Sequence, residues 1–332
     1  MNHKRVGRLP ATLLVSVLAL AGSWSGAATA SAQAPLIAGA GDIACDPQSP
    51  YFRSGSGAGS GYGAGAYCKQ RATSRLLSGA NNVFTLGDTQ YEHSSLSKIR
   101  ASYDRSWGNY KKRTRPAIGN HEYGTGVECT PLRCPTFRGS SGYYDYFGSR
   151  AGPRGKAYYS YNIRNWHVVV LNSMCRYAGG CGTGSPQERW LRSDLRANRD
   201  KRCILAYWHH PPFSSGQSRG YPYYYDAFWR ALQAKGADAV LVGHDHVYER
   251  FGPQDEDGSP TRRVNGHRGP RQFMVGTGGK NIGKFVTRQR NSAERHRAHG
   301  VLRLRLREDS YAWKFVRIDG RSLDSGSASC GG

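Results

Sequence analysis

Short apolar runs recur along the chain, and five of them end abruptly in a polar cluster. The runs are Leu36 to Ala40, Asn82 to Leu86, Pro116 to Ile118, Cys203 to Trp208 and Ala239 to Val242. Runs this short, bounded by turn formers, read as buried strands. Helical spacing is legible between them. Ser185-Pro186-Gln187-Glu188 offers an N-cap, a proline at the first helical position and a glutamate three residues on, and Trp190, Leu191 and Leu195 then recur at helical spacing. A second helix is predicted near Tyr224 to Lys235, with Phe228 and Leu232 one turn apart and Gly236 as its stop. A third is predicted from Leu96 to Trp107. Towards the end, Arg271 to Val275, Gly300 to Leu306 and Tyr311 to Ile318 read as strands. No internal repeat and no interdomain linker is legible, and strands alternating with helices predict an α/β fold.

The polar clusters carry the chemistry. They are Gly41-Asp42, Gly87-Asp88-Thr89-Gln90-Tyr91, Gly119-Asn120-His121-Glu122, His209-His210-Pro211 and Gly243-His244-Asp245-His246. Open α/β sheets bind ligands beyond the carboxyl ends of their strands, so five such exits can meet at one crevice. Carboxylate, amide, phenol and imidazole donors arriving together suffice for two metal ions. A carboxylate shared by two cations must lie between them, and Asp88 is the natural bridge. Asp42 would then hold one ion, Asn120 would offer an amide oxygen to the other, and His209, His244 and His246 would complete the donor sets. A lone Gly-Asp pair or a single His-x-His means little; all five clusters in order, each at a strand exit, mean a great deal.

Composition adds the setting. The 332-residue chain carries a formal charge of +24. Such a field raises the local concentration of phosphate-bearing anions and would draw polyanions or nucleic acid weakly. Arg303, Arg305 and Arg307 alternate with Leu302, Leu304 and Leu306, which places them on one face of a strand. A solvated face explains them without a partner, and no nucleic-acid-binding motif accompanies the charge. Residues 1–32 combine basic Lys4, Arg5 and Arg8, an apolar stretch from Ala11 to Ala21 and Ala30-Ser31-Ala32. That pattern predicts a secretory signal peptide cleaved after Ala32 and a single catalytic domain over 33–332; an uncleaved anchor is the alternative. No later segment is apolar enough to span a bilayer, so a soluble, secreted protein is expected, and no obligate protein partner is inferred. Eight cysteines in an exported chain favour disulfides over thiolate metal sites. Chain order suggests Cys45–Cys68, Cys129–Cys134, Cys175–Cys181 and Cys203–Cys330, out of about 105 arrangements. The Gly/Ser/Ala-rich stretch Ser54 to Ala66 would then be a loop closed at its base, leaving the first strand beside Asp42.

The five clusters resemble those of the calcineurin-like metallophosphoesterases and, within them, the purple acid phosphatases. Two details select the subfamily. The first cluster has Ala44 where most of the superfamily has a histidine, and the second reads Gly-Asp-x-x-Tyr, with Tyr91 three residues beyond Asp88. Gly243-His244-Asp245-His246-Val247-Tyr248-Glu249-Arg250 and Gly276-Thr277-Gly278-Gly279 are also similar to that family's closing motifs. The resemblance implies a four-layer α/β/β/α sandwich of two mixed β-sheets flanked by helices. It implies that Asp42, Asp88, Tyr91 and His246 hold Fe(III), and that Asp88, Asn120, His209 and His244 hold a divalent ion, zinc, iron or manganese. His209 and His210 are adjacent; the family pattern His-x-Pro places the ligand at His209.

By the same resemblance, Asn120 and His121 would contact the substrate, and His121 would donate to a phosphoryl oxygen or protonate the leaving group. Plant-type members place further histidines in the loop after the fourth cluster. Here Pro211 to Asp226 holds none, and offers Arg219 and a run of tyrosines instead; Arg219 could supply a fixed positive charge. The expected activity is hydrolysis of small phosphate monoesters by a metal-activated hydroxide. A phosphodiesterase or nuclease on the same centre, and a non-catalytic phosphate- or polyanion-binding protein, are the alternatives.

Overall fold

The computed structural model describes residues 1–3, 7, 33–59, 65–124, 139–261, 263, 264 and 266–331. The strands are β1 (Leu36–Ala40), β2 (Asn82–Leu86), β3 (Thr114–Ala117), β4 (Tyr159–Ile163), β5 (Trp166–Val170), β6 (Cys203–Tyr207), β7 (Ala239–Val242), β8 (Tyr248–Pro253), β9 (Arg271–Val275), β10 (Ser292–His296), β11 (Gly300–Leu306), β12 (Ser310–Arg317) and β13 (Ser322–Ser329). Helices are α1 (Gln70–Arg75), α2 (Leu96–Ala101), α3 (Ser141–Phe147), α4 (Pro186–Ala197) and α5 (Pro222–Gln233). One sheet has the order β13-β12-β11-β1-β2-β3 and the other β10-β8-β9-β7-β6-β5-β4. Both are mixed: β1, β2 and β3 run parallel, as do β5, β6, β7 and β9, while β11 joins β1 and β8 joins β9 antiparallel.

Period-two alternation builds the layers. Leu205 and Leu241 face a core that also holds Ile37, Val83, Leu302 and Leu304 of the other sheet. Their neighbours Ile204, Ala206, Val240 and Val242 face the opposite way, against Leu191 and Leu195 of α4 and Phe228 and Leu232 of α5. Ile99, Tyr103, Trp107, Tyr143 and Phe147 supply the helical side of the first core. This is the four-layer sandwich of two mixed sheets with flanking helices that the resemblance implies. Fully burying each such leucine or phenylalanine stabilises by about 1.5–3 kcal/mol.

Local signals behaved as their chemistry requires. Ser185 caps α4, its hydroxyl accepting from Glu188 N at 3.2 Å, a contact typically worth about 1 kcal/mol. Helix α5 starts two residues before the expected point because Pro222 suits the first turn, and left-handed Gly236 closes it. The expected helix from Leu96 to Trp107 stops at Ala101. Trp107 instead opens a short 3₁₀ segment, Trp107–Arg113, where its indole N–H donates to Thr73 Oγ1 at 3.1 Å. At the break itself Ser102 Oγ donates to Cys45 O at 2.6 Å and Tyr103 N to Gln90 Oε1 at 3.2 Å, and these non-local bonds replace helical continuity.

Cys45–Cys68, Cys175–Cys181 and Cys203–Cys330 are joined, whereas Cys129 and Cys134 lie outside the described residues. The segment 1–32 also lies outside them, apart from 1–3 and 7. Ala34–Gly332 forms one compact unit. No helix among the described residues is long and apolar enough to cross a membrane. Two of the alternating arginines have structural work: Arg303 donates to the carbonyls of Leu76 and Ser78, and Arg305 to that of Ala34.

Candidate metal centre

Parallel strands from both sheets end at one place, and the backbone stitches those ends together. Gly41 N donates to Val275 O at 2.8 Å, joining β1 of one sheet to β9 of the other. Beyond β1 and β2 the ladder continues through Asp42 N to Gly87 O and Ile43 N to Asp88 O. At each exit the chain must turn sharply to aim a side chain sideways. Asp42, Asp88 and His244 do so with φ of +60°, +48° and +71°. Left-handed backbone costs a non-glycine residue on the order of 1 kcal/mol or more and persists where the surroundings over-determine it. Small residues make the room: a Cβ on Gly119 would stand 2.3 Å from Asp88 Oδ1, and one on Gly87 2.6 Å from the His209 ring.

Two donor sets result, and they share one atom. Tyr91 Oη lies 2.7 Å from Asp42 Oδ1, 3.0 Å from His246 Nε2 and 3.1 Å from Asp88 Oδ2. His246 Nε2 is 3.3 Å from Asp42 Oδ1. On the other side His209 Nε2 lies 3.2 Å from that same Asp88 Oδ2 and 3.0 Å from Asn120 Oδ1. His244 Nδ1 is 3.2 Å from both Asn120 Oδ1 and His209 Nε2. Donors about 2.1 Å from one ion stand about 3.0 Å apart in octahedral and about 3.4 Å apart in tetrahedral geometry. The observed separations suit either, so the residues fit two cations with Asp88 between them.

Histidine orientation agrees. A carbonyl oxygen only accepts, so His209 Nδ1, 2.6 Å from Leu86 O, carries a proton and turns Nε2 towards Asp88, where a cation would find that nitrogen's lone pair in place of its proton. His246 Nδ1 is likewise held by Asn281 Oδ1 at 2.9 Å, a fixing contact of the kind metal-bound histidines use.

The bare electrostatics show what a cation would balance. Burial alone would push the Asp88 carboxyl up, but His209 and His121 outweigh it and hold the group well below the usual carboxylate range. Burial likewise opposes ionisation of Asp42, and His246 overcomes it. Burial, then the charges of Asp42 and Asp88, push the Tyr91 phenol well above its ordinary value. Burial disfavours the charged form of His209, yet Asp88 lifts it to about 9; burial and then His209 drop His244 to about 4. Bound cations invert such local balances.

The remaining expected residues divide. His121 lies beside the cluster: Nδ1 sits 2.5 Å from Glu92 O, Nε2 is 3.8 Å from Asp88 Oδ2, and its ring centre is 4.2 Å from that of Tyr91. His210 Nδ1 engages Ser173 Oγ at 2.9 Å, while its ring packs against His244, so that His209, His210 and His244 offer ring nitrogens within 4.8 Å of one another. Arg219 is exposed, and the hydrogen bonds that fix it, to Gly216 and from Gln289, involve its backbone. It is not among the groups that meet at Asp88.

Three carboxylates that the sequence reading quoted without giving them a role support the centre. Fully buried Glu122 accepts from Asp88 N, Thr89 N, Thr89 Oγ1, Ser94 Oγ and Gly119 N at 2.7–3.0 Å, tying the second exit to the third. Asp245 accepts from Ser214 and Ser218, and Glu249 from Ser215 and Ser292. Position was their only signal: Glu122 and Asp245 stand inside the quoted clusters, and Glu249 lies three residues beyond the fifth.

A family model described as calcineurin-like phosphoesterase matches residues 40–248. The chain is 26% identical over 174 residues to purple acid phosphatase 18 of Arabidopsis thaliana, covering 50% of this chain and 36% of that protein. It is 31% identical over 170 residues to purple acid phosphatase 21 of the same plant, covering 48% and 36%. The matches thus span about a third of those relatives' length. Among solved structures, purple acid phosphatase PPD1 from yellow lupin (Lupinus luteus) seeds aligns with a TM-score of 0.70 at 18% identity, covering 89% of this chain and 53% of that one. PhoD aligns with a TM-score of 0.58 at 13% identity, covering 90% and 69%. At these identities the structural likeness concerns the fold alone.

Proposed function

The chain belongs to the calcineurin-like phosphoesterase family, and on that premise we propose that it is a secreted dinuclear-metal phosphatase acting on phosphate monoesters. The observation that carries the reading is the sharing of Asp88 Oδ2, which meets Tyr91 Oη on one side and His209 Nε2 on the other. Asp42, Tyr91, His246 and Asp88 would hold Fe(III), for which a phenolate is a fitting hard and anionic donor. Asn120, His209, His244 and Asp88 would hold the divalent ion. When bound, the two cations supply an acidified water and neutralise charge on the phosphoryl oxygens.

The protein's own groups complete the site. Because Glu92 O can only accept, His121 carries a proton on Nδ1 and presents Nε2 to the cluster, where the imidazolium form can donate to a phosphoryl oxygen or leaving group. Buried Asp42 and Asp88 hold their charges in place and need no reorganisation when substrate arrives. The predicted signal segment and the three disulfides among the described residues support export.

The deciding experiment compares wild type with Asp88→Asn on p-nitrophenyl phosphate and bis-p-nitrophenyl phosphate, with metal content measured in both. Wild type should bind two ions and prefer the monoester, and Asp88→Asn should lose most metal from both sites along with activity. Full metal content and normal turnover in Asp88→Asn would remove the bridging role. Preference for the diester would favour the diesterase reading, which the strong positive charge keeps in view.

A further inference from the structure

A groove of about 290 Å³ opens beside His244, lined by Ser173, Met174, Arg176, His210, Tyr221 and Tyr224. It adjoins the metal cluster directly. Tyr221 Oη is 3.4 Å from His244 Nε2, and the His210 and His244 ring centres are 4.4 Å apart. We propose that this groove receives a planar aromatic leaving group of the phosphate ester, an aryl ring or a nucleobase. The proposal deepens the phosphatase reading and rests on it.

Its walls are built and held. Ser173 Oγ lies 2.9 Å from His210 Nδ1, and Tyr225 donates to Ser173 O at 3.0 Å, so the loops after β5 and β6 are locked together. The Cys175–Cys181 bridge closes the outer loop. Tyr177 of that loop stacks on Tyr123 beside the third exit, at 4.1 Å and an interplanar angle of 6°. A rigid wall loses little on binding, which favours a defined occupant over a general sticky patch.

The lining chooses the occupant. Tyr221 and Tyr224 stand 6.3 Å apart at 83°, so they offer one planar guest a ring face and a ring edge, the arrangements aromatic groups prefer. Met174 adds a polarisable thioether. The charged group on the lining is Arg176, exposed and set over Tyr177. Tyr224 is 66% exposed, so core packing does not account for its ring. The volume is about twice the roughly 150 Å³ that accepts benzene in a protein cavity, room for one or two fused rings. An ester with its phosphoryl group at the cluster would have its leaving group within reach of Tyr221.

The test uses metal-loaded wild type, Tyr224→Ala and Tyr224→Phe, and measures binding of phenylphosphonate and methylphosphonate by calorimetry beside hydrolysis of p-nitrophenyl phosphate and glycerol phosphate. Phenylphosphonate should bind more tightly than methylphosphonate. Tyr224→Ala should weaken phenylphosphonate by about threefold to tenfold, leave methylphosphonate unchanged and be rescued by Tyr224→Phe. Equal binding of both probes in wild type, or equal losses for both in Tyr224→Ala, would overturn the groove assignment even if the esters are hydrolysed. A Tyr224-dependent preference without hydrolysis of any ester would instead keep the groove and defeat the phosphatase reading. Adenosine 5′-monophosphate is the third probe. A Tyr224-dependent gain for it supports nucleotide esters, and a gain confined to phenylphosphonate supports aryl esters.

Discussion

Replacing Glu122 with glutamine should damage this protein far more than the loss of one charge suggests. All five hydrogen bonds to Glu122 come from donors. Oε2 serves Asp88 N and Gly119 N, while Oε1 serves Thr89 N, Thr89 Oγ1 and Ser94 Oγ. An amide must turn an N–H₂ towards one of these groups. The less harmful orientation keeps the oxygen on the Oε1 side and leaves the N–H groups of Asp88 and Gly119 without an acceptor. Each buried donor left unpaired costs about 1–3 kcal/mol, so Glu122→Gln should destabilise by roughly 2–6 kcal/mol, against a total of about 5–15 kcal/mol for an ordinary domain. Burial and the Asp88 charge already push the Glu122 carboxyl up, yet an environment made only of donors still suits the carboxylate. Urea unfolding followed by tryptophan fluorescence should show a lower midpoint with unchanged slope, and metal content should fall because two exits lose their common tether. A loss below about 1 kcal/mol with full metal content would refute this account of how the exits are held.

Tyr91→Phe should retain the fold, because the ring still fills its buried place, but iron-loaded protein should lose the visible charge-transfer band expected of a phenolate ligand; a retained band would mean that Tyr91 does not bind iron. Asp238 gives a pH prediction. Burial raises its carboxyl from 3.8 to about 7, although Ile204 N and Gly331 N both donate to it. A raised folded value means the native state binds the extra proton, so this contribution is full below about pH 4 and is lost as the pH rises to about 7. Its ceiling is roughly 4 kcal/mol, reduced by solvent because the residue is partly exposed. Denaturation across that window should show a falling stability term that Asp238→Asn flattens, and identical pH slopes in the two proteins would rule it out.

The strand exits were legible because buried parallel strands must be apolar and short, and their ends must turn polar. Leu36–Ala40, Asn82–Leu86 and Ala239–Val242 stand where that pattern ends them. The Ser185 cap was legible for the same local reason, a hydroxyl three residues from the N–H it satisfies. Strands β4, β5, β8, β10 and β13 were not read: Tyr159–Ile163 and Ser322–Ser329 are half-polar and only partly buried, so their pattern competes with that of an exposed loop, whereas fully buried Trp166–Val170 carries the apolar pattern and was passed over. Nor could the chain alone say that Leu96–Trp107 breaks after Ala101, since the bonds made at the break run from Ser102 to distant Cys45 and from Tyr103 to Gln90. The donors themselves were named from sequence, because each cluster announces its residue types. Their meeting point, the φ of Asp42, Asp88 and His244, and the tether at Glu122 depend on two sheets packing so that β1 ends against β9. Local sequence sets which atoms are offered, whereas only non-local packing brings Asp88 Oδ2 to within 3.1 Å of Tyr91 Oη and 3.2 Å of His209 Nε2.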